Sequence, residues 1–270
     1  MLDELETLSA LAKHKTMGRA ATSLRITQSS VSKRIQSLEQ ISHKELIVKN
    51  GRFVELTPAA FELLDKALPL LSELKETVQG EEGLHTLRIS IGFSESILSS
   101  WGAHLISKLS RKFPENIFEP HAHRTPVIVD KVVSGDYNIA IVGGEPKNFP
   151  GLYFERIGEE EMVVVGETGD LFCAEVTSGT WASIANETAK QGLRIDERSE
   201  FLSPIAKMAK HGFCRGLVPF AVAKNAGFSK REMISTGIKR PIYAVGRKRA
   251  FLRSDILKIL EYTSQFLEKI

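Results

Sequence analysis

The chain has 270 residues, 42% hydrophobic and 26% charged, with a formal net charge of +3. That composition belongs to globular domains, and the length suffices for two or three of them. No run of about 20 apolar residues lacks charge, which argues against a membrane-spanning helix, and two cysteines, Cys173 and Cys214, are too few for a disulfide framework. The first stretch, MLDELETLSALAKHK, is acidic and amphipathic rather than a secretory leader, so a cytoplasmic location is expected. The charge is unevenly spread. Lys207 to Arg253 holds twelve Lys or Arg against one acid, Glu232, and the first sixty residues hold nine bases against six acids. Either cluster suits nucleic acid or an anionic ligand, and a solvated basic face explains the carboxy-terminal one equally well.

In chain order, residues 4–15 place Leu5, Leu8, Leu11 and Ala12 on one helical stripe. A second short helix fits GRAATSL (18–24), where Ala20 and Ala21 allow close helix contact. The turn RIT follows, with Thr27 as N-cap. The third helix begins in ITQSSVSKRIQSLE. Val31, Ile35 and Leu38 define its buried side, while five hydroxyl residues, two Gln, one Lys and one Arg fill the rest, with no acid before Glu39. At about 100° per residue, Ser29, Ser32, Lys33 and Gln36 point away from the apolar stripe, with Gln28 at the helix entry.

ELIVKNGRFVEL then reads as a hairpin about Asn50-Gly51, with Lys49 and Arg52 beside the turn. Thr57-Pro58 is an N-cap and first position of a long helix reaching about Gln79. Leu64, Leu68, Leu71, Leu74 and Val78 make a coiled-coil-like seam along it, and Pro69 predicts a kink. QGEEG (79–83) reads as a linker.

From residue 86 strands and helices alternate. LRISIGF is a strand, residues 94–113 one helix, IFEPHAH a strand, PVIVDKVVSG a helix, and NIAIVGG and EMVVVG strands. A second round runs LFCAEVT, WASIANETAKQG, LRIDERS, PIAKMAKHG and CRGLVPF. PIYAV returns toward the first lobe, and a last helix packs through Ile256, Leu257, Leu260 and Phe266. This rhythm predicts a parallel sheet covered by helices.

Two short helices, a tight turn, a third helix and a hairpin spell a winged helix-turn-helix, whose third helix fits the major groove of DNA. Gln pairs with adenine, Lys with guanine or phosphate, and Ser with either a base or a phosphate. The expected DNA contacts are therefore Gln28, Ser29, Ser32, Lys33 and Gln36, with Lys49 and Arg52 on flanking phosphates or the minor groove. The rival is a ligand-sensing or protein-interaction module whose amino-terminal helices never touch DNA.

KTMGRAATSLRITQSSVSKRIQSLE resembles the LysR-type transcriptional regulators, through Ala20-Ala21, Leu24, Gln28, Ser32, Ile35 and Leu38-Glu39. Thr57-Pro58-Ala59 is similar to that family's linker-helix start, VVSGDYNIAIVGG to a strand of its first effector lobe, and HGFCRGLVP to a segment of its second. The resemblance implies an α/β architecture of three parts. These are a winged helix-turn-helix (1–57), a linker helix and hinge (58–83) that pairs two chains, and a two-lobed periplasmic-binding-protein-like effector domain (84–270). It also implies a homodimer through the linker helix, a homotetramer through the effector lobes, and a small-molecule effector with no further cofactor. Departures are His43 and Lys49 where the family usually has Gly and Arg, Ala60 for a common Gly, and a second lobe shortened between Gly166 and Leu171.

Ligands of such sheets bind at the carboxyl ends of strands. Ser94 and Ser96 follow the first strand, Thr177, Ser178 and Thr180 open a helix across the cleft, and Thr125 starts another. These six are the effector candidates, although such residues also serve as plain N-caps. Glu95 among them argues against a simple anion and points to a cationic or zwitterionic effector. His121 and His123 share one side of a strand without a third ligand type, so no metal site is expected. Cys173 and Cys214 sit in apolar runs and read as inert buried thiols. No nucleophile elbow, P-loop or His-Glu-x-x-His is present, and GGEPKNFPG lacks dinucleotide spacing, so an enzyme is not expected.

Overall fold

The structure is a computed structural model that describes residues 1–51, 53–78, 87–146, 149 and 151–269, with the backbone alone described at residues 49, 65, 68, 69, 72–78 and 87. Helices α1 (Leu2–His14), α2 (Met17–Leu24) and α3 (Gln28–Ser42) form the amino-terminal head. Their apolar stripes meet in one core containing Leu8, Leu11, Ala20, Val31 and Ile35. Thr27 caps α3 by accepting from Ser30 N–H at 3.2 Å. Arg34 leaves the outer face and donates to Asp3 and Thr7, tying α3 to α1.

His43 ends α3 in the left-handed region, φ 51° and ψ 33°. The geometry that glycine adopts freely is thus kept without glycine, at a cost of about 1–2 kcal/mol. Glu39 offsets part of it: its Oε1 accepts from Leu46 N–H at 2.8 Å and Ile47 N–H at 3.3 Å, fastening the loop back to the helix.

Strands β1 (Ile47–Asn50) and β2 (Phe53–Leu56) form the wing, pairing antiparallel with Asn50 opposite Phe53. The turn therefore lies one residue later than the Asn50-Gly51 pair. Asn50 closes β1 and donates from Nδ2 to Glu55 at 3.2 Å, while Gly51 takes the first turn position at φ 59°.

Helix α4 (Pro58–Val78) starts at Thr57, whose hydroxyl accepts from Ala60 N–H and donates to Glu45 C=O. Leu64 and Leu71 are buried in the head core, so two positions of the expected seam are used within the chain, and Leu70 is exposed. The helix is continuous across residue 69. The side chains of Leu68, Pro69, Leu74 and Val78, and the whole of QGEEG, lie outside the described residues.

The second half opens with β3 (Leu87–Ser94). The single helix expected over 94–113 is α5 (Glu95–Ile97), a π-turn (Leu98–Gly102) and α6 (Ala103–Lys112). Gly102 permits the wide turn, because a Cβ there would stand 2.8 Å from the Ile97 carbonyl oxygen. Then come β4 (Asn116–His123), α7 (Thr125–Ser134), β5 (Ile139–Gly143), β6 (Leu152–Val165) and β7 (Leu171–Ala174). They are followed by α8 (Gly179–Lys190), β8 (Glu197–Ser199), α9 (Leu202–Lys210), β9 (Arg215–Pro219), α10 (Phe220–Asn225), β10 (Ile234–Arg247) and α11 (Ser254–Leu267).

Among the described residues these strands make one sheet, ordered β4-β3-β5-β10-β6-β9-β7-β8. It is mixed rather than parallel. β3 runs parallel to β4 and β5, and β7 parallel to β8 and β9, but β10 pairs antiparallel with β5 and β6, and β6 antiparallel with β9. EMVVVG and PIYAV are only the apolar ends of two fourteen-residue crossover strands. The segments before them, LYFERIGEE and ISTGIKR, carry charges because they leave one lobe's core before entering the next. Each lobe has its own core, one around Ile89, Phe93 and Ile259, the other around Val163, Ile205 and Leu217. In α11, Leu257 is 44% exposed rather than packed, and Ile259 takes the inward position.

The head rests on the first lobe through α1 and α7. Lys15 Nζ pairs with Asp130 at 2.9 Å, Lys13 with Asp136 at 2.8 Å, and Ser9 Oγ donates to Ser134 C=O at 3.3 Å.

Candidate DNA interface and effector cleft

The outer face of α3 is where the sequence places it. Gln28, Ser29, Lys33 and Gln36 are exposed and Ser32 half-buried, while Val31, Ile35 and Leu38 are buried. Ser29 Oγ bonds Thr27 Oγ1 at 2.8 Å. No described residue hydrogen-bonds or ion-pairs with the side chain of Gln28, Lys33 or Gln36, and no acid lies on residues 26–38. The amino-terminal N–H groups of α3 add a positive dipole end beside this face. The wing is anchored to α1 instead: Val54 N–H donates to Lys15 C=O at 2.9 Å, fixing β2 to the end of α1. Of the two wing candidates, Arg52 and the side chain of Lys49 lie outside the described residues.

The six hydroxyl residues from distant segments, Ser94, Ser96, Thr125, Thr177, Ser178 and Thr180, all line one cavity of about 70 Å³ between the lobes. They are not equally free. Ser178 caps α8, accepting from Trp181 N–H at 3.1 Å. Ser94 Oγ accepts from Gly143 N–H at 3.2 Å and bonds Thr125 Oγ1 at 3.3 Å. Thr177 is exposed at the rim.

Ser96 and Thr180 meet a residue that sequence reading passed over. Arg240, on β10, is 1% exposed and reaches both lobes at once. Its Nη1 donates to Ser96 Oγ of the first lobe at 3.3 Å and to Thr180 Oγ1 of the second at 3.1 Å. Nε donates to Glu160 Oε1 at 2.8 Å, and Nη2 to the same carboxylate and to Ser96. Glu160 stands opposite Arg240 on β6 and also accepts from Trp101 Nε1 at 3.3 Å. Neither residue belongs to a local motif. The available signal was an Arg and a Glu on two charged strands, which only the crossover register brings together.

The lobes are held closed. Arg124 of the first lobe pairs with Glu200 of the second across the cavity mouth, and Ser99 Oγ bonds Ser203 Oγ at 2.7 Å. Gly144, at φ 84°, explains the Gly-rich GGEPKNFPG: a Cβ there would lie 2.1 Å from Thr180 N, so only glycine lets the end of β5 touch the start of α8.

His121 and His123 both stack on Tyr137, at 4.9 Å and 6.3 Å between centroids. Burial, Lys131 and His121 hold His123 below the usual imidazole range. The described residues contain no cluster of three His, Cys, Asp or Glu able to hold a metal. Cys173 and Cys214 are buried free thiols, and burial pushes the Cys173 thiol up to about 11, which keeps it protonated.

These parts define a winged helix-turn-helix DNA-binding protein with a hinged, two-lobed sensor domain. Comparison with known proteins makes the class specific. The family described as "Bacterial regulatory helix-turn-helix protein, lysR family" matches residues 2–61, and "LysR substrate binding domain" matches residues 82–267. The chain belongs to the LysR family of transcriptional regulators, whose DNA binding is modulated by a small-molecule effector. A curated relative, an uncharacterized HTH-type transcriptional regulator of Vibrio cholerae, is 26% identical over 96% of this chain and 94% of its own. A probable RuBisCO transcriptional regulator of Chlorokybus atmophyticus is 33% identical over 53% of this chain and 47% of its own. Among solved structures, a full-length OxyR of Pseudomonas aeruginosa superposes with a TM-score of 0.65 at 18% identity, covering 98% of this chain and 94% of that one. Full-length CbnR complexed with its target DNA gives 0.55 at 16%, covering 98% and 99%. At these identities the structural matches speak for the fold alone. No described helix is long and apolar enough to cross a membrane.

Proposed function

We propose that this regulator reads its operator with Gln28, Ser29, Ser32, Lys33 and Gln36 of α3. It works in the cytoplasm as a homodimer joined through α4, two dimers forming a tetramer through the effector domains. The observation that carries the DNA contacts is the outer face of α3, where exposed Gln and Lys side chains are unengaged and acids are absent over residues 26–38. Lys49 and Arg52, beside Asn50-Gly51 in the sequence, hold flanking phosphates or the minor groove. The exposed Leu70 on α4 supports pairing of linker helices. Ser94, Ser96, Thr125, Thr177, Ser178 and Thr180 contact the effector.

The signal leaves the cleft along α7. Its first turn lies in the cavity wall, where Thr125 bonds Ser94, and the preceding Arg124 latches onto Glu200. Its second half and the turn after it carry the head, through Asp130 and Ser134 of the helix and Asp136 beyond it. A ten-residue helix spans about 15 Å as a rigid rod, so a lobe movement that releases Arg124 tilts the platform under α1. Effector binding then shifts the population of head arrangements by its differential affinity for the two states. The direct test is operator binding over a salt series. Affinity falling steeply with salt, through release of counterions from the phosphates, is expected; affinity indifferent to salt contradicts direct DNA contact.

A further inference from the structure

We infer that Arg25, in the turn between α2 and α3, grips a DNA phosphate on the rim of the groove that α3 enters. The inference rests on the outer face of α3 reading DNA and adds a contact to the sugar–phosphate backbone.

The backbone of this turn is fixed, and in a conformation that disfavours a side chain. Arg25 ends α2 in the left-handed region, φ 54° and ψ 40°. Its N–H donates to Thr22 C=O at 3.2 Å, and Ile26 N–H reaches back to Ala21 C=O at 3.0 Å. Ile26 packs against the head core and pins the turn from inside. Glycine takes this conformation freely and is common both past helix ends and in the turn of such motifs. An arginine here carries a β-carbon cost. No contact among the described residues offsets it, because the side chain is exposed and neither hydrogen-bonds nor ion-pairs with any of them.

Charge decides what that side chain meets. No acid lies between Glu6 and Glu39. Within the head, Lys13 pairs with Asp136, Lys15 with Asp130, Arg34 with Asp3 and Lys44 with Glu62. Arg19, Arg25 and Lys33 have no such partner among the described residues. Of these, Arg25 stands nearest in sequence to the start of α3, where Thr27 is the cap and Gln28 the first residue. A recognition helix meets base edges with its amino-terminal residues, so the chain entering it passes the phosphates at the edge of the groove. The hydroxyls at that entry are turned on one another, Thr27 Oγ1 lying 2.8 Å from both Ser29 Oγ and Ser30 Oγ. The Arg25 guanidinium is left as the cation for the phosphate, and its planar fork matches two phosphate oxygens. A phosphate carries no sequence, so Arg25 contributes affinity and register rather than base choice.

The test compares the wild type, Arg25→Gln, Arg25→Lys and Arg25→Gly as full chains. Each is titrated with an operator fragment and a scrambled fragment over a salt series, and its thermal unfolding is followed. Arg25→Gln is expected to weaken binding to both fragments alike, by about tenfold, and to lower the slope of log affinity against log salt by about one. Arg25→Lys is expected to keep the wild-type slope. Arg25→Gly should lose the contact as Arg25→Gln does and yet raise Tm by about 2 °C, because it sheds the β-carbon. Four results overturn the inference: an unchanged slope in Arg25→Gln, a loss confined to the operator, a slope lowered equally in Arg25→Lys, or a Tm of Arg25→Gly below the wild type, which would assign the arginine to the head's own structure. Wild-type affinity indifferent to salt is a separate failure, that of direct DNA contact itself, and takes this inference with it.

Discussion

The outer face of α3 and the floor of the cleft are both polar, but they are built in opposite ways. On α3 the side chains of Gln28, Lys33 and Gln36 project into solvent with no partner among the described residues. In the cleft Arg240, Glu160, Ser96, Thr180, Ser94 and Thr125 are bonded to one another. The first surface awaits a partner that brings its own acceptors and charge, as DNA does. The second is satisfied as it stands, so it discriminates by what must be displaced and by what remains unpaired. A groove reader is improved by free donors, whereas a sensor is improved by a closed state with defined strength.

That contrast breaks most visibly at Arg240. Arg240→Ala leaves the Glu160 carboxylate buried without its counter-ion and is expected to destabilise the chain by about 3–5 kcal/mol in chemical denaturation. Replacing both partners with apolar residues, Arg240→Met with Glu160→Leu, should recover much of the loss while freeing the lobes. If Arg240→Ala unfolds at the wild-type midpoint, the pair does not hold the closed cleft. On the head side, His43→Gly should stabilise by about 1 kcal/mol, because the φ of 51° then carries no β-carbon penalty. A destabilised variant would show that the imidazole makes a compensating contact. The smallest effect is expected where the two regions meet. Lys15 and Asp130 are both substantially exposed, so a double-mutant cycle with Lys15→Ala and Asp130→Ala should give a coupling of roughly 0.2–1 kcal/mol. The same cycle measured on operator affinity should also be non-additive if α7 carries the signal, and strict additivity in both would remove that route.

The regions also differ in how far they were legible. The head follows from local pattern: Val31, Ile35 and Leu38 at helical spacing, Thr27 as cap, and a wing set by Gly51. Even its odd feature, His43 in a glycine position, keeps the expected backbone. The cleft's hydroxyls were legible because strand ends and helix starts mark them locally. Arg240 and Glu160 were not, because their pairing depends on the register of β10 against β6 across 80 residues of chain. The crossover strands were half hidden for the same reason, since alternation and apolar runs report burial and these strands leave one core before entering another. Leu257 shows the limit within a single helix, where two positions along the chain separate Ile259 inside from Leu257 outside.

The central claim is that the outer face of α3 reads DNA, and affinity for an operator fragment and for a scrambled fragment tests it directly. For Gln28→Ala and Lys33→Ala, the account predicts a loss of roughly 1–3 kcal/mol on the operator for a base contact, with a smaller loss on the scrambled fragment and unchanged thermal unfolding. Operator affinity equal to wild type in both variants would contradict it.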